Sequence, residues 1–265
     1  MALSYSAYSQ YNKCPYVYKR RYLDKMFKPM GGPAYFGTAI QKLFEFFINE
    51  GIDSKEVDPL VWIKENIPRA FKTCAAKGID KSVNVQKYID DEKTLLSAYN
   101  FYFILKGLDL LKKTSSEIKK SILLNDHIAV TGVMDFIKKT EDNKEIIVAD
   151  AKGTQYSFFD ENKTIETDQL LFYAMFCYKH FNVLPRTCFM LYNATLSNVQ
   201  DHFTNLNFTQ RIIWVDYTLD DISNLQKNII NVYNDIEKRK FDAKVNRYCN
   251  FCDFKLECPL NKEEL

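Results

Sequence analysis

Ile146-Ile147-Val148-Ala149-Asp150-Ala151-Lys152 is the stretch on which the fold turns. Its first residues are β-branched and apolar on both faces of an extended chain, as in a buried central strand. Side chains alternate along a strand, so Asp150 and Lys152 share one face while Ala149 and Ala151 take the other. Ionised groups do not leave water unless they are paired or metal-bound, so a charged pair closing such a strand needs a reason. Alone, Asp-x-Lys is a common pattern, and its ordinary meaning is an ion pair at a solvated strand end.

On either side the chain continues in the same vein. Ile118–Leu124, Ile128–Lys138 and Glu145–Lys152 are β-rich runs, the last two separated by Glu141-Asp142-Asn143, a hairpin-turn signal. Downstream come a helix near Asp168–His180, a strand near Thr187–Tyr192 and a strand near Arg211–Val215. Thr218-Leu219-Asp220-Asp221 is a capping-box variant that opens a helix running to about Lys240. Upstream the pattern is helical. Ser4 is an N-cap, and its helix stops near Cys14-Pro15 because a residue before proline is pushed out of the α region. A second helix is expected from about Gly37, with Ile40, Leu43, Phe44 and Phe47 at helical spacing. Asp58-Pro59 starts a third. Val85–Leu111 reads as one or two more, with Tyr88, Leu95, Leu96, Tyr99, Phe103 and Leu110 on the buried side. The expected fold class is α/β or α+β, with a central mixed sheet flanked by helices.

A chain of 265 residues suits a single domain, residues 1–265. Within it we expect a helical N-terminal part (1–112), a core (113–240) and a cysteine-bearing tail (241–265). Met1 is followed by a polar, Tyr-rich run with no apolar core of signal-peptide length, and no apolar run is long enough to span a bilayer. A cytoplasmic protein is expected, in the host cytoplasm if the source is viral. The net charge of +2 excludes a strongly basic, histone-like binder. Lys19-Arg20-Arg21, Lys138-Lys139 and Lys238-Arg239-Lys240 are local basic clusters, and each alone reads as solvated surface.

The seven cysteines are an odd number in a chain without a secretory signal, which argues against a disulfide framework. Cys74, Cys177 and Cys188 lie among apolar neighbours and read as small buried side chains. Cys249-Asn250-Phe251-Cys252 followed by Cys258-Pro259 differs, since three soft ligands this close usually bind metal. Cys14 is the best candidate for a fourth ligand. Zinc and a [4Fe–4S] cluster both accept four thiolates, and spacing does not separate them.

Asp135 and Asp150, if adjacent strands bring them together, can hold Mg²⁺ or Mn²⁺, which prefer oxygen ligands. Such a cation activates water and neutralises charge building on a phosphate. Lys152 would orient that water or stabilise the transition-state charge. The segments Gly37-Thr38-Ala39-Ile40-Gln41, Gly132-Val133-Met134-Asp135, Asp150-Ala151-Lys152 and Gln169-Leu170-Leu171-Phe172-Tyr173 occur in that order. Together they resemble the RecB-like branch of the PD-(D/E)xK nucleases, whose pattern is Gly-x-x-x-His, Gly-x-x-Asp, Asp-x-Lys and Gln-x-x-x-Tyr. The likeness covers nearly the whole chain.

The resemblance implies a restriction-endonuclease-like core and a metal-dependent DNA exonuclease, acting at single-stranded ends or flaps. It makes Asp135 and Asp150 metal ligands, with the backbone carbonyl of Ala151, and Lys152 the catalytic lysine. Gln169 and Tyr173 border the site from one helix face. It favours iron–sulfur over zinc for Cys14, Cys249, Cys252 and Cys258, because an N-terminal Cys-Pro with this trio is the pattern of the iron–sulfur members. The family's first motif ends in His, and this chain has Gln41. Its amide oxygen is a weaker ligand, and Glu45, one turn on, is a second oxygen donor. The change at Gln41 keeps a second function open, a catalytically weakened DNA-binding or assembly subunit. An iron–sulfur redox sensor is a third, and it would leave the Asp-x-Lys pair without a purpose. No P-loop occurs, so any helicase motor or recombination partner would be a separate protein. Aromatic residues, 15% of the chain, offer stacking platforms for unpaired bases.

Overall fold

The computed structural model describes residues 2–76, 78–111, 114–140, 144–153, 168–192 and 212–261. It divides into two compact units, one formed by Met1–Lys28, Lys119–Gly132 and Thr218–Leu265, the other by Pro29–Ile118 and Val133–Tyr217. The architecture is mixed α/β, with a mixed sheet flanked by helices.

The larger unit is built on the second half of β3 (Ala129–Lys139), with β4 (Ile146–Lys152), β5 (Arg186–Leu191) and β6 (Ile212–Val215). β3 and β4 are antiparallel, Phe136 facing Ala149 and Lys139 facing Ile146. β4 and β5 run parallel, Asp150 beside Phe189 and Lys152 beside Leu191. β5 and β6 are antiparallel again. β4 therefore has a neighbour on each side, as its unbroken apolar start requires. The parallel step from β4 to β5 carries the crossover helix α7 (Asp168–Phe181). The expected turn at Glu141-Asp142-Asn143 and the Arg211 end of the last strand lie outside the described residues.

Helices α3 (Gly32–Asn49), α4 (Pro59–Ala75) and α6 (Glu92–Gly107) pack on the sheet face that carries Phe136, Ala149, Ala151, Cys188, Met190 and Tyr192. Ile40, Leu43, Phe44 and Phe47 are fully buried, as their spacing demands. Burying one such ring stabilises the fold by roughly 1.5–3 kcal/mol. α3 begins earlier than expected. Pro33 in its first turn presets the helical φ, which places Gly37 inside the helix rather than at its start. Asp58 caps α4 by accepting from Leu60 N at 2.8 Å. Val85–Leu111 divides into α5 (Val85–Asp90) and α6, with Asp91 capping the second. In α6 the fully enclosed residues are Ser97, Ala98, Phe101, Ile104 and Leu105, while Leu95, Tyr99 and Phe103 are half-buried. Leu96 and Leu110 are buried as expected, but a helix enclosed on most sides has no single apolar stripe, so spacing missed Phe101 and Ile104.

In the smaller unit, β1 (Ala2–Ser4) pairs in parallel with Ala129–Thr131 of β3. β2 (Thr114–Leu123), of which residues 119–123 belong to this unit, also pairs with β3. Ser4 caps α1 (Tyr5–Lys13), its Oγ accepting from Ala7 N at 3.2 Å. α1 stops at Cys14, whose backbone is extended before Pro15. α2 (Pro15–Tyr18) and a π-helical turn over Lys19–Leu23 follow. α8 (Leu219–Glu237) opens on the expected capping box, with Thr218 and Asp221 bonding reciprocally. Among the described residues no helix is long and apolar enough to cross a membrane.

Candidate active site

The register that sets Phe136 against Ala149 brings Asp135 and Asp150 to neighbouring positions at the end of β3 and β4. Asp150 is 1% exposed. Its Oδ2 lies 2.6 Å from Lys152 Nζ, an ion pair. Its Oδ1 accepts from the Tyr173 hydroxyl at 3.4 Å. Lys152 Nζ also donates to Gln169 Oε1 at 2.7 Å, and Gln169 Nε2 donates to the Tyr173 hydroxyl at 2.7 Å. Asp150, Lys152, Gln169 and Tyr173 thus form a closed polar circuit. Gln169 and Tyr173 enter it together because positions i and i+4 share a helix face. Both ends of the Gln169 amide are engaged, which fixes its orientation.

Burial pushes the Asp150 carboxyl above its ordinary range, against the opposing pull of Lys152 and the Tyr173 hydroxyl. The Tyr173 hydroxyl is driven far up, first by burial and then by Asp150 and Asp135, so it stays a donor. Burial also raises Cys188, on the other face of the sheet, to about 12, which keeps this thiol neutral.

Asp135 is held differently. Its Oδ2 accepts from the backbone N–H of Ala151 at 3.0 Å and from Gln41 Nε2 at 2.9 Å. Gln41 Nε2 also reaches the Ala151 carbonyl at 3.2 Å. One nitrogen spanning both oxygens means that a carboxylate and a carbonyl converge on one point. Buried Asp150, half-buried Asp135 and the Ala151 backbone carbonyl offer oxygen donors of the kind Mg²⁺ or Mn²⁺ takes. Glu45 is paired with Lys42. Among the described residues no three His, Cys, Asp or Glu side chains form a group able to hold a metal ion.

One contributor escaped the sequence reading. Tyr192, just past β5, is fully buried, stacks on Phe101 with ring centroids 4.7 Å apart, and donates to the Gly37 carbonyl at 3.3 Å. It ties the end of the sheet to α3 one turn before Gln41. Asp135 and Asp150 add to burial in raising its hydroxyl, which records how near it stands to the acids. No motif marks it. A tyrosine ending an otherwise apolar strand was the available signal.

The cysteines gather in the smaller unit. Cys14, Cys249, Cys252 and Cys258 line one cavity of about 520 Å³, and none is in a disulfide. The Lys244 backbone N–H points at Cys14 Sγ at 3.5 Å, and that of Asn246 at Cys249 Sγ at 3.3 Å. Asn246 Nδ2 donates to the Lys13 carbonyl at 2.8 Å, and Tyr16 donates to the Glu257 carbonyl at 2.8 Å. Arg21 pairs with Asp253 at 2.7 Å, and Arg20 pairs with Glu257. Two of the three residues in the Lys19-Arg20-Arg21 cluster therefore serve to hold the tail. Cys74, Cys177 and Cys188 are buried, as expected of core thiols.

A model of the PD-(D/E)XK nuclease superfamily matches residues 2–259. No curated protein matches the chain. A solved structure titled "Crystal structure of SSO0001" is similar at 15% identity and a TM-score of 0.37, over 83% of this chain and 95% of that one. PD-(D/E)XK nucleases usually use Mg²⁺ or Mn²⁺. With a match running from the first strand to the cysteine-bearing tail, this chain belongs to the PD-(D/E)XK nuclease superfamily, which implies a metal-dependent nuclease acting on DNA.

Proposed function

We propose that the whole chain serves as one nuclease domain of the RecB-like, iron–sulfur branch. It hydrolyses phosphodiester bonds at free, single-stranded DNA ends or flaps. The observation that carries this is the closed circuit of Asp150, Lys152, Gln169 and Tyr173 beside Asp135. A buried carboxylate and a lysine held at fixed orientation suit phosphoryl chemistry and have no structural necessity. The preference for ends rests on the motif likeness to RecB-like exonucleases.

In this reading Asp135, Asp150 and the Ala151 carbonyl hold the divalent cation, which when bound supplies charge neutralisation and a more acidic water. Glu45 is a further oxygen donor, committed here to Lys42. The Lys152 side chain is 35% exposed, so it faces an incoming phosphate and donates to it or orients the attacking water. Gln169 and Tyr173 position Lys152 and Asp150. The four tail-unit thiols hold a [4Fe–4S] cluster in a structural role. Four sulfurs line one cavity, the N–H groups aimed at Cys14 and Cys249 suit thiolate charge, and the choice of iron–sulfur over zinc rests on the motif likeness.

A second reading, a DNA-binding subunit with weakened cleavage, is favoured by one feature: Gln41 presents its donor end to Asp135. One experiment separates them. Anaerobically purified protein and its Asp150→Ala variant are incubated with end-labelled single- and double-stranded DNA and Mg²⁺ or Mn²⁺. Shortening of labelled strands by wild type alone is expected. Equal degradation by both, or none by either, rejects the catalytic assignment.

A further inference from the structure

The Gln41 carboxamide meets the site with its nitrogen. Nε2 lies 2.9 Å from Asp135 Oδ2 and 3.2 Å from the Ala151 carbonyl. Both partners are acceptors, and the reversed amide would set oxygen against oxygen, so the partners decide the orientation. The Ala151 N–H donates to the same Asp135 oxygen at 3.0 Å. Neutral N–H groups therefore cover the two oxygens that a hard cation would take. The same side chain carries an acceptor on a terminal torsion that is broad and roughly two-fold. Half a turn exchanges donor for acceptor with little movement elsewhere.

We propose, building on the nuclease reading, that Gln41 is a two-position carboxamide gate. With its NH₂ inward, it keeps Asp135 and the Ala151 carbonyl assembled while no cation is present. With its Oε1 inward, it joins the oxygen donors when a divalent cation binds. The charge at the site selects the position, since a cation repels the N–H dipole and attracts the carbonyl. Turning outward forfeits one charge-assisted and one neutral hydrogen bond, so cation affinity is lowered on the order of tenfold or more against a side chain with no donor to displace. Gln41 is then a positioning residue and a threshold on metal loading, set by the metal concentration around the protein.

The test uses the full chain, MgCl₂ alone and no DNA. Glutamine side-chain amides are labelled with ¹⁵N, and the Gln41 signals are identified by their loss in Gln41→Glu. Without Mg²⁺ the Gln41 NH₂ protons should exchange slowly with water. Adding Mg²⁺ should shift them and speed their exchange, with the same midpoint as calorimetric Mg²⁺ binding. Gln41→Glu keeps the shape but offers oxygen in both positions. It should bind Mg²⁺ on the order of tenfold or more tightly and melt lower without Mg²⁺, because its carboxylate faces Asp135. Mg²⁺ binding to wild type with the Gln41 amide unmoved would overturn the gate and leave the nuclease reading standing. Equal Mg²⁺ affinity in Gln41→Glu would do the same. No Mg²⁺ binding by either protein would overturn both.

Discussion

Lys152 Nζ lies 2.6 Å from Asp150 Oδ2, yet the lysine side chain is 35% exposed and the aspartate 1%. One partner of the pair is solvated and the other is not. The two ends should therefore respond differently to removal. Lys152→Met leaves a buried carboxylate short of a partner and should cost about 1–3 kcal/mol in urea unfolding at neutral pH. Asp150→Asn removes the buried charge and leaves a lysine that water can solvate, so its stability should stay within about 1 kcal/mol of wild type. Both should lower DNA cleavage by a factor on the order of 10²–10³. Equal destabilisation by the two variants would show that the burial asymmetry has no energetic consequence.

Tyr173→Phe removes the hydroxyl that joins Gln169 to Asp150. If the circuit acts as a unit, Tyr173→Phe and Gln169→Ala should couple in a double-mutant cycle by about 0.5–3 kcal/mol. Each single variant should lower kcat more than it raises KM, because neither residue is expected to bind DNA directly. Additive effects in the cycle would dissolve the circuit into independent contacts.

Cys14→Ser should empty the cysteine centre, with loss of bound iron and of visible absorbance in anaerobically purified protein, and a lower Tm. Cys177→Ser, in the apolar core of the other unit, should keep its full iron content. Elemental analysis reads both and distinguishes iron from zinc. Full metal retention in Cys14→Ser would remove Cys14 from the ligand set.

The capping box of α8 carries a pH signature. The Thr218 backbone N–H and hydroxyl donate to Asp221 and hold its pKa below the ordinary 3.8. A depressed carboxyl pKa contributes stability above the unfolded value, and that contribution is lost as pH falls through the lower folded value. Asp221→Asn should therefore destabilise the protein at pH 6, with the gap to wild type closing as the pH drops below 3.8. Denaturant titrations at a series of pH values measure this, and a gap independent of pH would exclude the ionised carboxylate as its source.

Much of this was legible from local rules, and what was missed depends on residues far apart along the chain. Ser4, Asp58 and Thr218 cap helices because their side-chain oxygens reach N–H groups two or three residues away, a relationship written in consecutive residues. The strand at Ile146–Lys152 was readable because a run apolar on both faces has one comfortable place, between two neighbours. The inner face of α6 was not, since enclosure on most sides erases the periodicity from which a face is read. Tyr192 was missed because its importance lies in reaching Gly37, 155 positions away along the chain.

By itself, then, the sequence determined the mixed α/β class, the central strand with Asp150 and Lys152 on one face, and the order of motifs that carries family membership. These follow from short-range sterics and from alternation along a strand. Only the tertiary structure decided that Asp150 is sealed from water while Lys152 is not, and that Gln169 and Tyr173 close a circuit with them. It alone turned the nitrogen of Gln41, not its oxygen, toward Asp135. Those outcomes depend on which groups desolvate one another across the fold, and no spacing along the chain encodes that.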